Sequence, residues 1–187
     1  MILPIAIYGN PVLRKVAEEI DKDYPELQTL IDNMFETMYQ SEGVGLAAPQ
    51  VNKSIRLFVI DASPYGDEEP ALKDFKKVFI NAQILEKSHE MQSFNEGCLS
   101  LPGIREDVKR HLKIKMRYYD ENFELHEEVF EGTPAVIIQH EYDHTDGILF
   151  IDRLSSLKRR LLRNKLKAIE ENKVRVNYKI IPNKKVR

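Results

Sequence analysis

Cysteine is nearly absent from this sequence of 187 residues, in which Cys98 stands alone. A single thiol excludes an intramolecular disulfide, and it also excludes a zinc site made only of cysteines. The ordinary interpretation of a lone cysteine is a buried structural thiol. The alternatives are a metal ligand and a nucleophile.

Long apolar runs are also missing, since none approaches the roughly 18 residues that a membrane span needs. The first residues, Met1-Ile-Leu-Pro-Ile, carry neither a basic segment nor a small-residue cleavage site, so we expect a cytoplasmic protein without a membrane partner. Internal repeats, low-complexity tracts and linkers are not apparent. With 42% hydrophobic and 31% charged residues, residues 1–187 are expected to form a single domain with a substantial core.

Charge is distributed unevenly although the net charge is only −2. Residues 151–187 contain 13 Lys and Arg against 3 Asp and Glu, whereas the first 150 residues contain 15 against 27. A basic segment on an acidic body indicates contact with an anionic partner such as nucleic acid. A solvated helix face that is basic without any partner is the alternative.

The most informative stretch runs from Thr133 to Thr145 and contains the pattern H-E-x-x-H at His140, Glu141 and His144. Residues four apart lie on the same side of a helix, so both imidazoles can bind one metal ion. The glutamate then lies where a carboxylate can accept a proton from water. Thr133 is the predicted N-cap of this helix, and Gly147 is predicted to end it.

The remaining chain alternates between helical and strand patterns. Apolar residues at helical spacing predict an amphipathic helix from Pro25 to Gln40. A last helix is predicted after Ser155 or Ser156, with these residues on its apolar face: Leu157, Leu161, Leu162, Leu166 and Ile169. Strands are predicted at residues 55–60, 78–85, 112–119, 123–129 and 174–180, and an exposed acidic loop at 63–74. The fold class is α+β, with antiparallel strands around a central metal-binding helix, a C-terminal helix and a short terminal strand.

Two histidines leave a divalent metal ion short of ligands, so a third must come from elsewhere. In the metzincin extension of the motif the ligand position is occupied by Phe150, which cannot bind metal. Glu170 and Glu171 are available but lie at the end of the basic helix. Cys98 is the better candidate, because one thiolate and two imidazoles leave an open position for water, as in catalytic sites.

Three blocks of the sequence resemble the signature motifs of the peptide deformylase family, in the family's order. They are Gly43-Val-Gly-Leu-Ala-Ala-Pro-Gln50, Glu96-Gly-Cys-Leu-Ser100 and Gln139-His-Glu-Tyr-Asp-His144. The resemblance covers about residues 4–170. It implies a metal-dependent hydrolase that removes the formyl group from the N-terminal formylmethionine of nascent chains and releases formate.

The resemblance also implies the roles of individual residues. Cys98, His140 and His144 match the family's metal ligands, for an ion that is often Fe(II) and can be nickel, cobalt or zinc. Glu141 matches the general acid and base. The side chain of Gln50 and the backbone N–H of Leu99 match the groups that stabilise the oxyanion.

Further matches concern the substrate. Gly45 and Arg105 are expected to hold the peptide main chain. The methionine pocket is expected to be lined by Val44, Phe94, Val136 and Ile137, although each of these also suits an ordinary core. Glu96 is expected either to form a hydrogen bond within the site or to pair with a nearby arginine such as Arg105.

Some features depart from the commoner family pattern. Thr145 stands where leucine usually follows the second histidine, the loop at 63–74 is long, and a terminal strand after the last helix is not universal. The basic last helix matches the region that docks some members on the ribosome. The family includes bacterial cytoplasmic enzymes and organellar enzymes whose transit peptide has been removed, so either source fits.

Overall fold

The computed structural model describes residues 1–184 and contains, in that range, three α-helices and nine strands. The helices are α1 (Leu27–Gln40), α2 (Gly132–Thr145) and α3 (Ser156–Glu170). The strands are β1 (Ile5–Ala6), β2 (Gly45–Ala47), β3 (Leu57–Asp61), β4 (Lys76–Lys87), β5 (Met91–Gly97), β6 (Arg105–His111), β7 (Lys113–Tyr119), β8 (Leu125–Glu131) and β9 (Ile180–Ile181). None of the described helices combines the length and the apolar character that crossing a bilayer requires. The predicted α+β class is confirmed.

A five-stranded antiparallel sheet forms the centre of the molecule, in the order β2-β3-β4-β7-β8. Helix α2 covers one face, where Ala135 and Ile138 belong to the same core cluster as Phe58 and Phe79. Helix α1 covers the other face. Every residue of β3 is buried, because successive side chains of a strand point to opposite faces and both faces are covered.

The predicted amphipathic helix is confirmed as α1. It begins at Leu27 rather than at Pro25, because Glu26 has a left-handed backbone conformation (φ 53°) that separates the preceding turn from the helix. Its apolar side, including Met34 and Met38, packs against Leu57 of β3. The spacing of the apolar residues was sufficient to identify this helix.

The hairpin of β5 and β6 was not predicted as strands, and it positions part of the site. Its two strands pair antiparallel from Met91 with His111 to Gly97 with Arg105. The strands contain few apolar residues, so they lack the alternation that identifies a strand in a sequence. The turn after β5 carries the only cysteine.

The predicted apolar face of α3 is partly wrong. Leu162, Leu166 and Ile169 are buried, whereas Leu157 and Leu161 are 64% and 76% exposed. Adjacent helical residues point about 100° apart at 3.6 residues per turn, and the covered side of α3 includes Leu162 but not Leu161. Ser155 is the N-cap, and its side chain accepts a hydrogen bond from the backbone N–H of Lys158.

The terminal strand is shorter than predicted. Only β9 is a strand, and it pairs in parallel with β1. The preceding residues alternate in exposure without strand pairing, with Val174, Val176 and Tyr178 half-buried. The predicted basic end of the chain extends into residues 185–187, which lie outside the described range.

Candidate metal site and active-site cleft

Helix α2 places the two histidines of the motif next to each other. The rings of His140 and His144 have centroids 5.2 Å apart. The helix ends at Thr145, and Gly147 follows with φ +71°. A Cβ at Gly147 would lie 2.8 Å from backbone atoms of Arg14, so both the positive φ and the close approach require glycine here.

The predicted N-cap of α2 is wrong. The helix begins at Gly132 with Glu131 as N-cap, and Glu131 makes no side-chain cap. Thr133 instead donates a hydrogen bond of 2.6 Å from its hydroxyl to Oε2 of Glu69. Gly132, the first residue of the helix, has a positive φ of 63°, which lets the chain turn sharply out of β8, so the helix starts before the threonine.

Cys98 lies against the two histidines although it is more than forty residues away in the sequence. Its Sγ is 3.3 Å from Nε2 of His144, and one ligand atom from each of the three residues lies within 4.8 Å of the others. Two ligands of one tetrahedral ion with metal–ligand bonds of this type are separated by about 3.5 Å. The sulfur and the two nitrogens therefore fit a single metal ion.

The orientation of His140 and the neutral form of His144 also suit a metal, although for His140 burial is outweighed by the hydrogen bonds to Cys98 and Glu96, which raise its pKa well above the usual value. Nδ1 of His140 is 2.8 Å from Oε2 of Glu96, so the N–H is on Nδ1 and Nε2 is left for the ion. Burial, together with the positive charges of His140 and Arg110, holds the pKa of His144 well below its usual value. A neutral imidazole is the form that binds metals.

Glu96 is part of a buried ionic network that the sequence did not reveal. The guanidinium of Arg110 donates to Glu96 at 2.7 and 2.8 Å and to Asp143 at 2.5 Å, and Arg153 also pairs with Asp143. Burial raises the pKa of Glu96, but the hydrogen bonds from Arg110 and His140 outweigh burial and lower the pKa to about 2. Glu96 therefore stays ionised and orients the imidazole of His140.

The expected hydrogen bond of Glu96 within the site is confirmed by its contact with His140. Glu96 also pairs with a nearby arginine, but that arginine is Arg110, since Arg105 is hydrogen-bonded to Asn95. The strand period of two explains the pairing that is found. Val108 and Arg110 are buried on one side of β6. Phe94, which pairs with Val108, and Glu96 lie on the same side of the hairpin, so a guanidinium and a carboxylate share one inward face.

Glu141 is buried like Glu96, but its carboxylate is not fully paired. Its Oε2 has no hydrogen-bond partner within the described residues. Burial raises the pKa of Glu141 to about 7. Gly45 of β2 makes room for the carboxylate, since a Cβ at that position would lie 2.5 Å from Oε1 of Glu141. An unpartnered carboxylate beside three side chains that could hold a metal ion is suited to proton transfer.

Gln50 holds a fixed orientation beside the sulfur. Its Oε1 accepts a hydrogen bond of 2.8 Å from the backbone N–H of Ala47. Its Nε2 therefore points the other way, 3.5 Å from Sγ of Cys98 and 3.2 Å from Oγ of Ser100. Both N–H groups of the amide are directed to the segment that carries the sulfur.

A cleft of about 980 Å³ opens onto these groups. Its lining includes Cys98, His140, Glu141, Gln50, Leu99, Gly45, Val44, Arg105, Phe94, Val136 and Ile137. His144 is buried behind the sulfur. The structure thus brings every predicted site residue to one place, at the wall of the cleft or directly beneath it.

Two further segments of the cleft wall were not predicted from the sequence. The loop at 63–74, predicted to be exposed, contributes Tyr65 and the buried Leu72; Leu72 is an isolated apolar residue without a periodic pattern. The segment after α3 contributes Arg175 to Tyr178. Burial raises the pKa of Tyr178 to about 12, and its hydroxyl donates a hydrogen bond of 2.7 Å to the carbonyl oxygen of Leu99.

Thr145, which departs from the family pattern, fits the packing around the site. Its side chain is buried, and the hydroxyl donates to the carbonyl oxygen of Tyr142 at 2.7 Å. Its own carbonyl oxygen accepts from the N–H of Ala17. Because the hydroxyl is satisfied inside the helix, threonine replaces an apolar residue here without leaving a buried polar group unpaired.

Comparison with known proteins agrees with the geometry. The family model for polypeptide deformylase matches residues 2–160. A peptide deformylase from Christiangramia forsetii is 54% identical to this chain, covering 99% of it and 98% of the relative.

The crystal structure of a peptide deformylase from Legionella pneumophila superposes with a TM-score of 0.80 at 39% identity, covering 94% of this chain and 99% of that one. A Met-Ala-Ser-bound crystal structure of the class I type b enzyme from Acinetobacter baumannii gives a TM-score of 0.75 at 38% identity, covering 82% of this chain and 99% of that one. The chain therefore belongs to the polypeptide deformylase family.

Proposed function

We propose that this chain hydrolyses the N-formyl group of N-terminal formylmethionine in nascent polypeptides and releases formate, using the residues around Cys98. The observation that carries this proposal is the meeting of one thiolate and two imidazoles beside a buried carboxylate at the wall of a cleft. Residues 1–187 would act as one catalytic domain.

Cys98, His140 and His144 would hold one divalent metal ion. When bound, such an ion lowers the pKa of water and acts as a Lewis acid toward the formyl oxygen. We favour Fe(II) because the resemblance to the family implies it; the ligand set of one soft thiolate and two imidazoles also suits zinc, nickel or cobalt. The three side chains leave room for water, since the cleft reaches the sulfur and the ring of His140.

Glu141 would carry the proton. Its Oε2 is free of partners within the described residues, so it can accept a proton from the attacking water. The same carboxyl then donates this proton to the amine nitrogen as the C–N bond breaks. Formate and a free N-terminal amine are the products.

Gln50 and the backbone N–H of Leu99 would stabilise the negative charge that develops on the formyl oxygen. The amide of Gln50 is oriented before substrate binds, because the N–H of Ala47 holds its oxygen. Preorganised donors need no rearrangement at the moment of reaction, which is why they contribute to the rate.

The rest of the cleft would bind the peptide. Gly45 and Arg105 would contact the main chain, and the methionine side chain would occupy an apolar pocket formed by these residues: Val44, Phe94, Val136 and Ile137. All of them line the same cleft. The related Acinetobacter enzyme has a structure with Met-Ala-Ser bound, which is the product that formyl-Met-Ala-Ser would give.

The deciding experiment compares the wild type with Glu141→Ala, using formyl-Met-Ala-Ser and anaerobically purified protein. We expect the variant to lose formate release while metal analysis finds one ion per chain in both proteins. The metal analysis also identifies the native ion. Unchanged turnover in the variant, or no formate from the wild type, would reject the proposal.

We further propose that α3 contacts the ribosome and that the protein works in the bacterial cytoplasm. Two curated relatives that match nearly the full length of this chain come from bacteria. On α3, Arg159, Arg160 and Arg163 are exposed, next to the two exposed leucines. A basic surface of this type suits the phosphate backbone of ribosomal RNA.

A further inference from the structure

We propose that Tyr178, from the segment after α3, is a positioning residue that orients the backbone N–H of Leu99 toward the formyl oxygen. This inference rests on the proposed function, because it gives a role to a residue outside the reacting groups. The observation that carries it is the hydrogen bond of 2.7 Å from the hydroxyl of Tyr178 to the carbonyl oxygen of Leu99.

The turn from Cys98 to Ser100 has no regular secondary structure to hold it. It follows β5 and precedes β6, and its own residues belong to neither strand. The N–H of Leu99 has no acceptor within the described chain, so an oxyanion can use it. A backbone N–H in an irregular turn points in a useful direction only if the turn itself is fixed.

Three hydrogen bonds fix this turn, one at each of its carbonyl groups. The oxygen of Cys98 accepts from the N–H of Leu101 at 2.9 Å, and the oxygen of Ser100 accepts from the N–H of Tyr8 at 2.8 Å. The oxygen of Leu99 accepts from Tyr178. The two peptide groups on either side of the Leu99 Cα are thus held independently, which restrains both of its backbone dihedrals.

Tyr178 is itself held by the end of the chain. Strand β9 pairs with β1 two residues later. Asn183 exchanges backbone and side-chain hydrogen bonds with Asn172 and donates to the carbonyl oxygen of Tyr8. The segment between the two asparagines therefore lies across the cleft wall with both ends attached to the body.

This support lies beyond the part of the chain that the family model matches, which ends at residue 160. The same segment contributes Arg175, Val176 and Asn177 to the cleft. This segment therefore forms one wall of the cleft and supplies, within that wall, one hydroxyl that reaches the backbone of the reacting site.

The test is Tyr178→Phe, which removes only the hydroxyl. Because the Leu99 N–H would act on charge that appears in the transition state, we expect kcat for formyl-Met-Ala-Ser to fall roughly three- to tenfold with KM unchanged. The matched control is Tyr118→Phe. It removes another buried tyrosine hydroxyl, bonded to Glu128 at 2.6 Å in the sheet, and it should leave kcat unchanged.

A second readout does not depend on turnover. In protein labelled with ¹⁵N-leucine, the amide resonance of Leu99 should shift and its hydrogen exchange should accelerate in Tyr178→Phe but not in Tyr118→Phe. A kcat equal to that of the wild type, a change in KM alone, or an unaltered Leu99 amide would each overturn the inference. Failure of the wild type to release formate would instead reject the proposed function, while the amide measurement would still stand.

Discussion

At the scale of single residues, the site combines polar groups that are fully paired with one that is not. Glu96 and Asp143 are buried against Arg110, and such pairing offsets the desolvation penalty of burying charge. Glu141 is equally buried, but one of its oxygens has no partner in the described chain. The paired carboxylates hold the site in place, and the unpaired one is available for chemistry.

Gly45→Ala should impair catalysis by displacing that carboxylate. The new Cβ would lie 2.5 Å from Oε1 of Glu141, so the carboxylate must move, and a misplacement of about 1 Å can cost about 100-fold in rate. We expect kcat to fall by about that factor with the metal retained. Gly43→Ala should have a much smaller effect, because its Cβ would come closest to the flexible end of Leu99 at 3.3 Å and would otherwise make ordinary contacts with Met38 and the carbonyl oxygen of Gly45. Equal turnover in Gly45→Ala and the wild type would contradict this account of Gly45.

Arg110→Met should weaken both the fold and the metal site. Removing the guanidinium leaves buried carboxylates without their main partner, which we expect to cost about 3 kcal/mol in urea unfolding. Metal affinity should fall about 10- to 100-fold in a competition titration, because Glu96 no longer holds His140 in place. Arg117→Met is the control: its pair with Glu127 is exposed and should be worth at most about 1 kcal/mol. Similar losses in the two variants would speak against a special role for Arg110.

At the scale of elements, the site depends on three pieces that come from distant parts of the sequence. Helix α2 carries both histidines, the turn after β5 carries the sulfur, and β2 leaves space for Glu141. Gln139 joins two of these pieces, since its amide is hydrogen-bonded to both backbone groups of His111 at the end of β6. The hairpin and the helix are therefore fixed relative to each other close to the candidate metal ligands.

The two sides of α3 should respond differently to the same substitution. Leu162→Ala removes a side chain that is 6% exposed and should cost about 2–5 kcal/mol of unfolding free energy. Leu161→Ala changes a side chain that is 76% exposed and should stay within about 0.5 kcal/mol of the wild type. Urea unfolding of both variants measures the difference. A large loss in Leu161→Ala would mean that this face is covered in solution.

At the scale of the whole molecule, charge is separated between an acidic body and a basic C-terminal region. The exposed arginines of α3 and the exposed Leu157 and Leu161 form a surface that the remainder of the described chain does not cover. Attraction between such a surface and RNA phosphates releases counterions and is therefore weakened by salt.

Binding to purified ribosomes should depend on this charge. We expect co-sedimentation to fall steeply between low and physiological salt, and to fall further for the double variant Arg159→Glu and Arg163→Glu. The double variant Lys22→Glu and Lys53→Glu alters the net charge equally on the acidic body and should bind like the wild type. Turnover of formyl-Met-Ala-Ser should be the same in all three proteins. Salt-independent binding, or equal losses in both double variants, would exclude docking through α3.

The sequence by itself determined the elements that can be recognised from residues lying close together in the chain. The helical spacing of apolar residues identified α1, the four-residue spacing of His140 and His144 identified the helix of the candidate metal site, and the three motif blocks identified the family. Alternation identified β7 and β8. Each of these signals depends only on residues that are close together in the chain.

Only the tertiary structure decided which distant groups meet. It selected Arg110 rather than Arg105 as the partner of Glu96, brought Tyr178 to the carbonyl of Leu99, and separated the exposed from the buried leucines of α3. Such pairings depend on the register between strands and on how helices and strands pack against one another. A pattern read along one strand or one helix does not contain them, because burial and partners are set by the neighbouring element.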